Sequence, residues 1–124
     1  MDHRLEVTAT GVNLSKENGR HTAWSAEWSD VCQIIAFKRD LFTFDRVYLG
    51  ICTETDSDKE ERDQWYHLCH EELRGWPTLM DAIRSRYGLT AIERVHSIVL
   101  PPFEETSVVV WQRDLESEQE HSRS

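Results

Sequence analysis

The stretch from Trp28 to Ile51, WSDVCQIIAFKRDLFTFDRVYLGI, constrains what this chain can fold into more than any other. From Val31 to Phe37 every position except Gln33 is apolar or small, as suits a central strand covered on both faces. From Asp45 to Thr53 the pattern has period two: Val47, Leu49 and Ile51 share one face, and Tyr48, Gly50 and Cys52 the other. The charged corner that opens at Lys38-Arg39-Asp40 joins the two runs, so they are expected to pair as antiparallel neighbours.

The flanking segments extend this hairpin into a sheet. Leu5, Val7 and Ala9 alternate with polar residues, and the alternation resumes out of phase at Val12 and Leu14 after Gly11, which predicts one strand kinked by a bulge. Asn18-Gly19 suits a type I′ turn, and Thr22, Trp24, Ala26 and Trp28 alternate beyond it, so a hairpin is expected. Glu54 to Asp63 holds six acids, two bases and no apolar residue, a solvated loop. Trp65 to Glu72 fits a strand at least as well as a helix, and the strand is preferred. Pro77 then suits a first helical turn, and Leu79, Ala82, Ile83 and Tyr87 form a 3.6-residue stripe that Gly88 ends. Thr90-x-x-Glu93 has capping-box spacing for a short second helix, and Pro101-Pro102 ends it. Val108 to Trp111 reads as a last strand paired inside the sheet. The expected fold is therefore α+β. It is a single domain over residues 1–113, a curved, mostly antiparallel sheet of five or six strands with one main and one short helix on one face. The other face is left open or forms a homodimer. Residues 114–124 are a polar, acidic tail expected to be disordered.

Charge narrows the partners. Fourteen Lys plus Arg against 23 Asp plus Glu give a net charge of −9, a field that repels phosphate backbones and anionic lipid and attracts a basic protein. Neither nucleic-acid nor membrane binding is expected. The N-terminus shows no signal-peptide pattern and no run is long enough to cross a bilayer, so the expected location is cytoplasmic. Cys32, Cys52 and Cys69 are then reduced thiols.

Only one cluster could hold a metal. His67, Cys69, His70 and Glu71 lie within five residues; on a helix His67, His70 and Glu71 would share a face, and on a strand His70 would point away from the other three. The commoner origin of such residues is a partly buried interior. Phosphate loops, GxSxG, paired CxxC and dinucleotide fingerprints are all missing, so no enzyme class is supported and no cofactor is expected. Five Trp exceed what a core of this size needs, and indoles are frequent at interfaces. Trp65 and Trp76, which flank the most charged region, are the expected partner contacts, together with Lys38, Arg39 and Asp40 at the corner. Turn chemistry alone also accounts for Asp40.

Trp28-Ser29-Asp30-Val31, Phe37-Lys38-Arg39-Asp40-Leu41, Thr43-Phe44-Asp45, Glu71-Glu72, Gly75-Trp76, Pro101-Pro102-Phe103-Glu104 and Val110-Trp111 form a spaced pattern. The pattern resembles that of a group of small uncharacterised bacterial proteins, and some similar acidic proteins serve as immunity or accessory proteins of toxin systems. The resemblance spans about Trp28 to Trp111 and implies an α+β fold with one curved antiparallel sheet. It carries no catalytic residue, and the loop Glu54 to Asp63 is an elaboration on it.

Overall fold

A computed structural model describes residues 3–16, 20–41, 44–54, 66–99 and 106–113. Among them the strands are β1 (Arg4–Val7), β2 (Gly11–Lys16), β3 (His21–Glu27), β4 (Val31–Asp40), β5 (Asp45–Thr53), β6 (His67–His70) and β7 (Thr106–Gln112). Two helices, α1 (Trp76–Tyr87) and α2 (Leu89–Ser97), lie between β6 and β7. The expected central hairpin is present: β4 and β5 pair antiparallel from Val31↔Thr53 to Asp40↔Asp45.

The α+β class holds, but the strands do not form one curved sheet of five or six. They form two antiparallel sheets, one ordered β1-β2-β3 and the other β6-β5-β4-β7. The break falls at Trp28–Asp30, which winds into a 3-10 turn instead of continuing the strand. The Trp28 amide donates to the Thr10 carbonyl (2.9 Å) and its indole N–H to the Thr8 carbonyl (3.1 Å), so the side chain that seemed to extend an alternating strand anchors the first sheet to the start of β4.

The kinked first strand is likewise two strands. β1 and β2 fold back on each other, with Leu5 opposite Leu14 and Val7 opposite Val12. The Thr8 hydroxyl accepts the Gly11 amide (3.1 Å), and the Thr8 amide donates to the Gly11 carbonyl (2.8 Å). The phase slip at Gly11 therefore marks a chain reversal built on a threonine side-chain turn. β2 pairs with β3 as expected, while the Asn18-Gly19 turn between them lies outside the described residues, except that Gly19 adjoins the described Arg20.

α1 occurs where the periodicity places it, and the expected second helix follows it. α1 buries Leu79 and Ile83 and ends at Gly88, with φ of 97°. α2 begins at Leu89 with Gly88 as its N-terminal flank and no side-chain cap, so Thr90 stands inside the first turn and the expected capping box is not formed. A glycine serving both as the end of one helix and the start of the next leaves Thr90 no capping position. β7 pairs with β4 but forms the sheet's outer edge, because the other side of β4 is taken by β5.

One apolar core joins these parts. Leu5, Val12, Leu14 and Ala26 of the first sheet, Ile34, Ala36, Leu49, Ile51 and Val110 of the second, and Leu79, Ile83, Ile92 and Val95 of the helices are buried in a single cluster. α1 packs beside β1 and α2 beside β7, so the helix pair closes the space between the sheets. Gly75, at the entry to α1, has φ of 91°, and its α-carbon approaches β1 so closely that a β-carbon would press into the Leu5 carbonyl. The Leu5 amide donates to the Arg74 carbonyl at 2.7 Å, which holds the two segments together. Gly75→Ala is expected to destabilise the fold by roughly 2–3 kcal/mol, from left-handed backbone strain and the steric clash together. Urea unfolding monitored by circular dichroism measures this, and an unchanged midpoint would contradict the packing described.

Candidate functional site

The outward row of the second sheet carries an unusual concentration of rings and guanidinium groups. Counting back along β4 and forward along β5 from the pair Asp40↔Asp45 places Arg39 opposite Arg46 and Phe37 opposite Tyr48. Tyr48 in turn faces His70 on β6, so three rings lie in line across three strands. Phe37 and Tyr48 stack at 5.2 Å with planes 5° apart, and Tyr48 meets His70 edge-on at 5.7 Å.

Arg39 and Arg46 are like charges directly opposite, an arrangement that is destabilising unless other groups compensate. The guanidinium of Arg39 lies 5.3 Å from the Phe37 ring centre and 5.4 Å from that of Tyr48. Arg46 lies 5.5 Å from the Phe44 ring centre and donates through Nε and Nη2 to the two carboxylate oxygens of Glu72, at 3.3 and 3.2 Å. Ring faces and one carboxylate thus hold both cations in place. Phe37, Tyr48 and Arg46 are half-buried, and Phe44 and Arg39 are exposed.

The corner residues divide between the two faces of the hairpin. Arg39 and Asp40 are at the surface, but the Lys38 side chain is only 1% exposed and points inward. Its Nζ donates to the Val99 carbonyl (2.9 Å) just beyond α2 and stands 3.8 Å from Asp45 Oδ2. Alternation along β4 explains this: Ile34, Ala36 and Lys38 are on the core side, and the ammonium ends at a carbonyl of the turn that follows α2. Trp76 is half-buried against the core at the start of α1, and Trp65 lies outside the described residues.

The strand preferred for residues 65–72 is β6, and it distributes the metal candidates among different neighbours. His67 stacks on Trp24 at 5.2 Å, while His70 turns to Tyr48 and accepts the Glu72 amide at Nδ1 (3.3 Å). Glu71 extends the strand pairing: its amide donates to the Val47 carbonyl (3.0 Å) and its Oε2 accepts the Val47 amide (2.6 Å). Desolvation, then the nearby Arg46 charge, holds the His70 imidazole below its ordinary range, so it is neutral at pH 7. Burial pushes the Cys69 thiol up from 9.0 to about 12. Among the described residues no three His, Cys, Asp or Glu side chains gather as a metal site would require.

Residue types alone did not single out Phe37, Phe44, Arg46, Tyr48 and Glu72. The signal was nevertheless present in the spacing, because Phe37-x-Arg39 and Arg46-x-Tyr48 place aromatic and cation on one face of each strand. Comparison with known proteins adds no relative: no family model, curated protein or solved structure matches the chain.

Two outcomes follow from these burials. Between pH 9 and about 12 an unfolded Cys69 loses its proton while the folded one keeps it, so stability is full below that window and falls as pH rises through it. At pH 8, native Cys69 is expected to resist a disulfide reagent that labels it rapidly in urea. Peptide mapping reads this, and prompt native labelling of Cys69 would contradict its burial. Lys38→Met keeps the apolar stem and removes the ammonium from Val99 and Asp45. A loss of about 2–3 kcal/mol is expected in urea unfolding, below the range for a fully buried pair because Asp45 is partly exposed.

Proposed function

We propose that this chain is a protein-interaction domain whose contact surface is the row formed by Phe37, Arg39, Phe44, Arg46 and Tyr48. The observation that carries the reading is the half-exposed Phe37–Tyr48–His70 ring line with two guanidinium groups fixed on and beside it. Aromatic residues and Arg dominate binding energy at protein interfaces because they bury large areas at little cost in side-chain freedom. Here the rings and cations already hold one another, so a partner meets an ordered surface. Ordering before contact lowers the entropic cost of association.

The net charge of −9 acts at longer range, raising the association rate of a basic partner, while the local row sets the contact register. An immunity-like role, in which the chain binds and blocks a basic toxin domain, is the form of this reading that fits the charge. Arg39 and Asp40 stand at the end of the row and belong to its rim.

The test is a quantitative binding comparison. A photo-crosslinking residue at position 39 and another at exposed Arg84 on α1 should differ: a discrete protein adduct from the native host is expected only at position 39. For the protein so captured, Phe37→Ala should weaken binding by about 2 kcal/mol, roughly 30-fold, with the circular-dichroism spectrum unchanged. Equal adducts at both positions, or equal affinity of the folded Phe37→Ala variant, would remove this surface as the interface.

A further inference from the structure

At the opposite end of β4 from the proposed interface, three rings from distant parts of the sequence enclose an open concavity of about 470 Å³. Trp28 comes from the 3-10 turn, Tyr87 from the end of α1 and Trp111 from β7. Val31, fully buried, and Trp28, nearly so, form the inner part of the lining. Tyr87 and Trp111 are half-buried and lie 4.5 Å apart with planes tilted by 36°, making one aromatic wall. Trp28 meets Tyr87 edge-on at 6.3 Å.

Two guanidinium groups line the same space. Arg113 is fixed by bonds from Nη2 to the Ser29 carbonyl (3.2 Å) and the Val31 carbonyl (3.1 Å), and by an ion pair from Nη1 to Glu54. Arg86 rests 4.8 Å from the Trp28 ring centre and donates from Nη2 to the Ala9 carbonyl. No hydrogen bond engages its Nε or Nη1 among the described residues, so Arg86 is held in place yet retains donors.

We propose that this concavity binds a small planar aromatic carboxylate, with its ring against Tyr87 and Trp111 and its carboxylate on Arg86. The volume falls within the range of small-molecule sites, about 300–1,000 Å³, and the lining combines three aromatic rings and Val31 with two guanidinium groups. An aromatic enclosure by itself would suit a cation, but here a cation would meet the Arg86 guanidinium, which no carboxylate offsets among the described residues. An anion instead gains charge-assisted hydrogen bonds from Arg86, while Arg113 is already paired with Glu54. Burial pushes the Tyr87 phenol up, although Arg86 opposes this, so the hydroxyl keeps its proton at neutral pH. The ring faces of Tyr87 and Trp111 favour a planar aromatic body, and the remaining Arg86 donors select an anionic end. This site is independent of the Phe37–Tyr48 row, so either reading can fail without the other.

The probe is 2-naphthoate, titrated into the full chain by calorimetry and by nuclear magnetic resonance of the indole N–H groups. Saturable binding of one molecule per chain is expected, moving the Trp28 and Trp111 indole signals and leaving that of Trp24, on β3, in place. Arg86 is exposed, so Arg86→Gln should fold normally and bind about tenfold more weakly or worse, the loss expected for a charged hydrogen bond. Uncharged 2-naphthamide on the native chain should show a comparable loss, and it carries the comparison if Arg86→Gln does not fold. No saturable binding, equal affinity for 2-naphthamide, or shifts confined to Trp24 would overturn the proposal.

Discussion

The pairing of β4 with β5 is the constraint on which the other parts depend. Its register runs from Val31↔Thr53 to Asp40↔Asp45, and each neighbour takes its position from it. β6 attaches along β5 and β7 along β4, while the inward row of Ile34, Ala36, Leu49 and Ile51 supplies the surface on which the core closes. The outward row takes its order from the same register. A slip of β4 by one residue would exchange its faces, exposing Ile34 and Ala36 and turning Phe37 into the core. Fold and candidate surface are thus set by a single alignment.

Lys38 shows how closely the two are coupled. Its neighbour Arg39 is exposed on a pair of rings, whereas Lys38 itself passes inward to the carbonyl beyond α2. Burying an ammonium costs desolvation, which the Val99 carbonyl and the Asp45 carboxylate offset through a hydrogen bond and charge. The result ties the end of the central hairpin to the end of the helix pair. The residue therefore belongs to the mechanical linkage between layers, and the contact surface at this corner is left to the alternate positions.

How far the sequence revealed all this depended on the range of the interactions. The two central strands, α1 and Gly88 were readable because period and local turn chemistry determine them, whereas β6 was only the preferred of two readings. The division into two sheets was not, since the 3-10 turn at Trp28 is stabilised by bonds to Thr8 and Thr10 that no local pattern announces. The reversal at Thr8 to Gly11 left a visible phase slip, but a bulge and a tight turn produce the same slip in an alternating pattern. The site followed the same division. Arg39 and Asp40 were legible as a charged corner, whereas the row of Phe37, Tyr48 and Arg46 emerges only when two strands are aligned and then read crosswise. Attention to residue type favoured the His and Cys of β6, yet strand geometry directs His67 to Trp24 and His70 to Tyr48.

The distribution of the cations gives the arrangement its electrostatic logic. Acids outnumber bases 23 to 14, so most basic side chains could find a carboxylate at the surface. Three guanidinium groups nevertheless lie over rings: Arg39 over Phe37 and Tyr48, Arg46 over Phe44, and Arg86 over Trp28. A ring face holds a cation without cancelling its charge, whereas a carboxylate neutralises it. Arg46 is also paired with Glu72, so positive charge persists at Arg39 and at Arg86, towards opposite ends of β4, within a negative field. Salt weakens the overall field as well as the local charges beyond roughly 8 Å, so selection at contact depends on these points and on the rings that hold them. The overall acidity governs what approaches, and the ring-held guanidinium groups govern what stays.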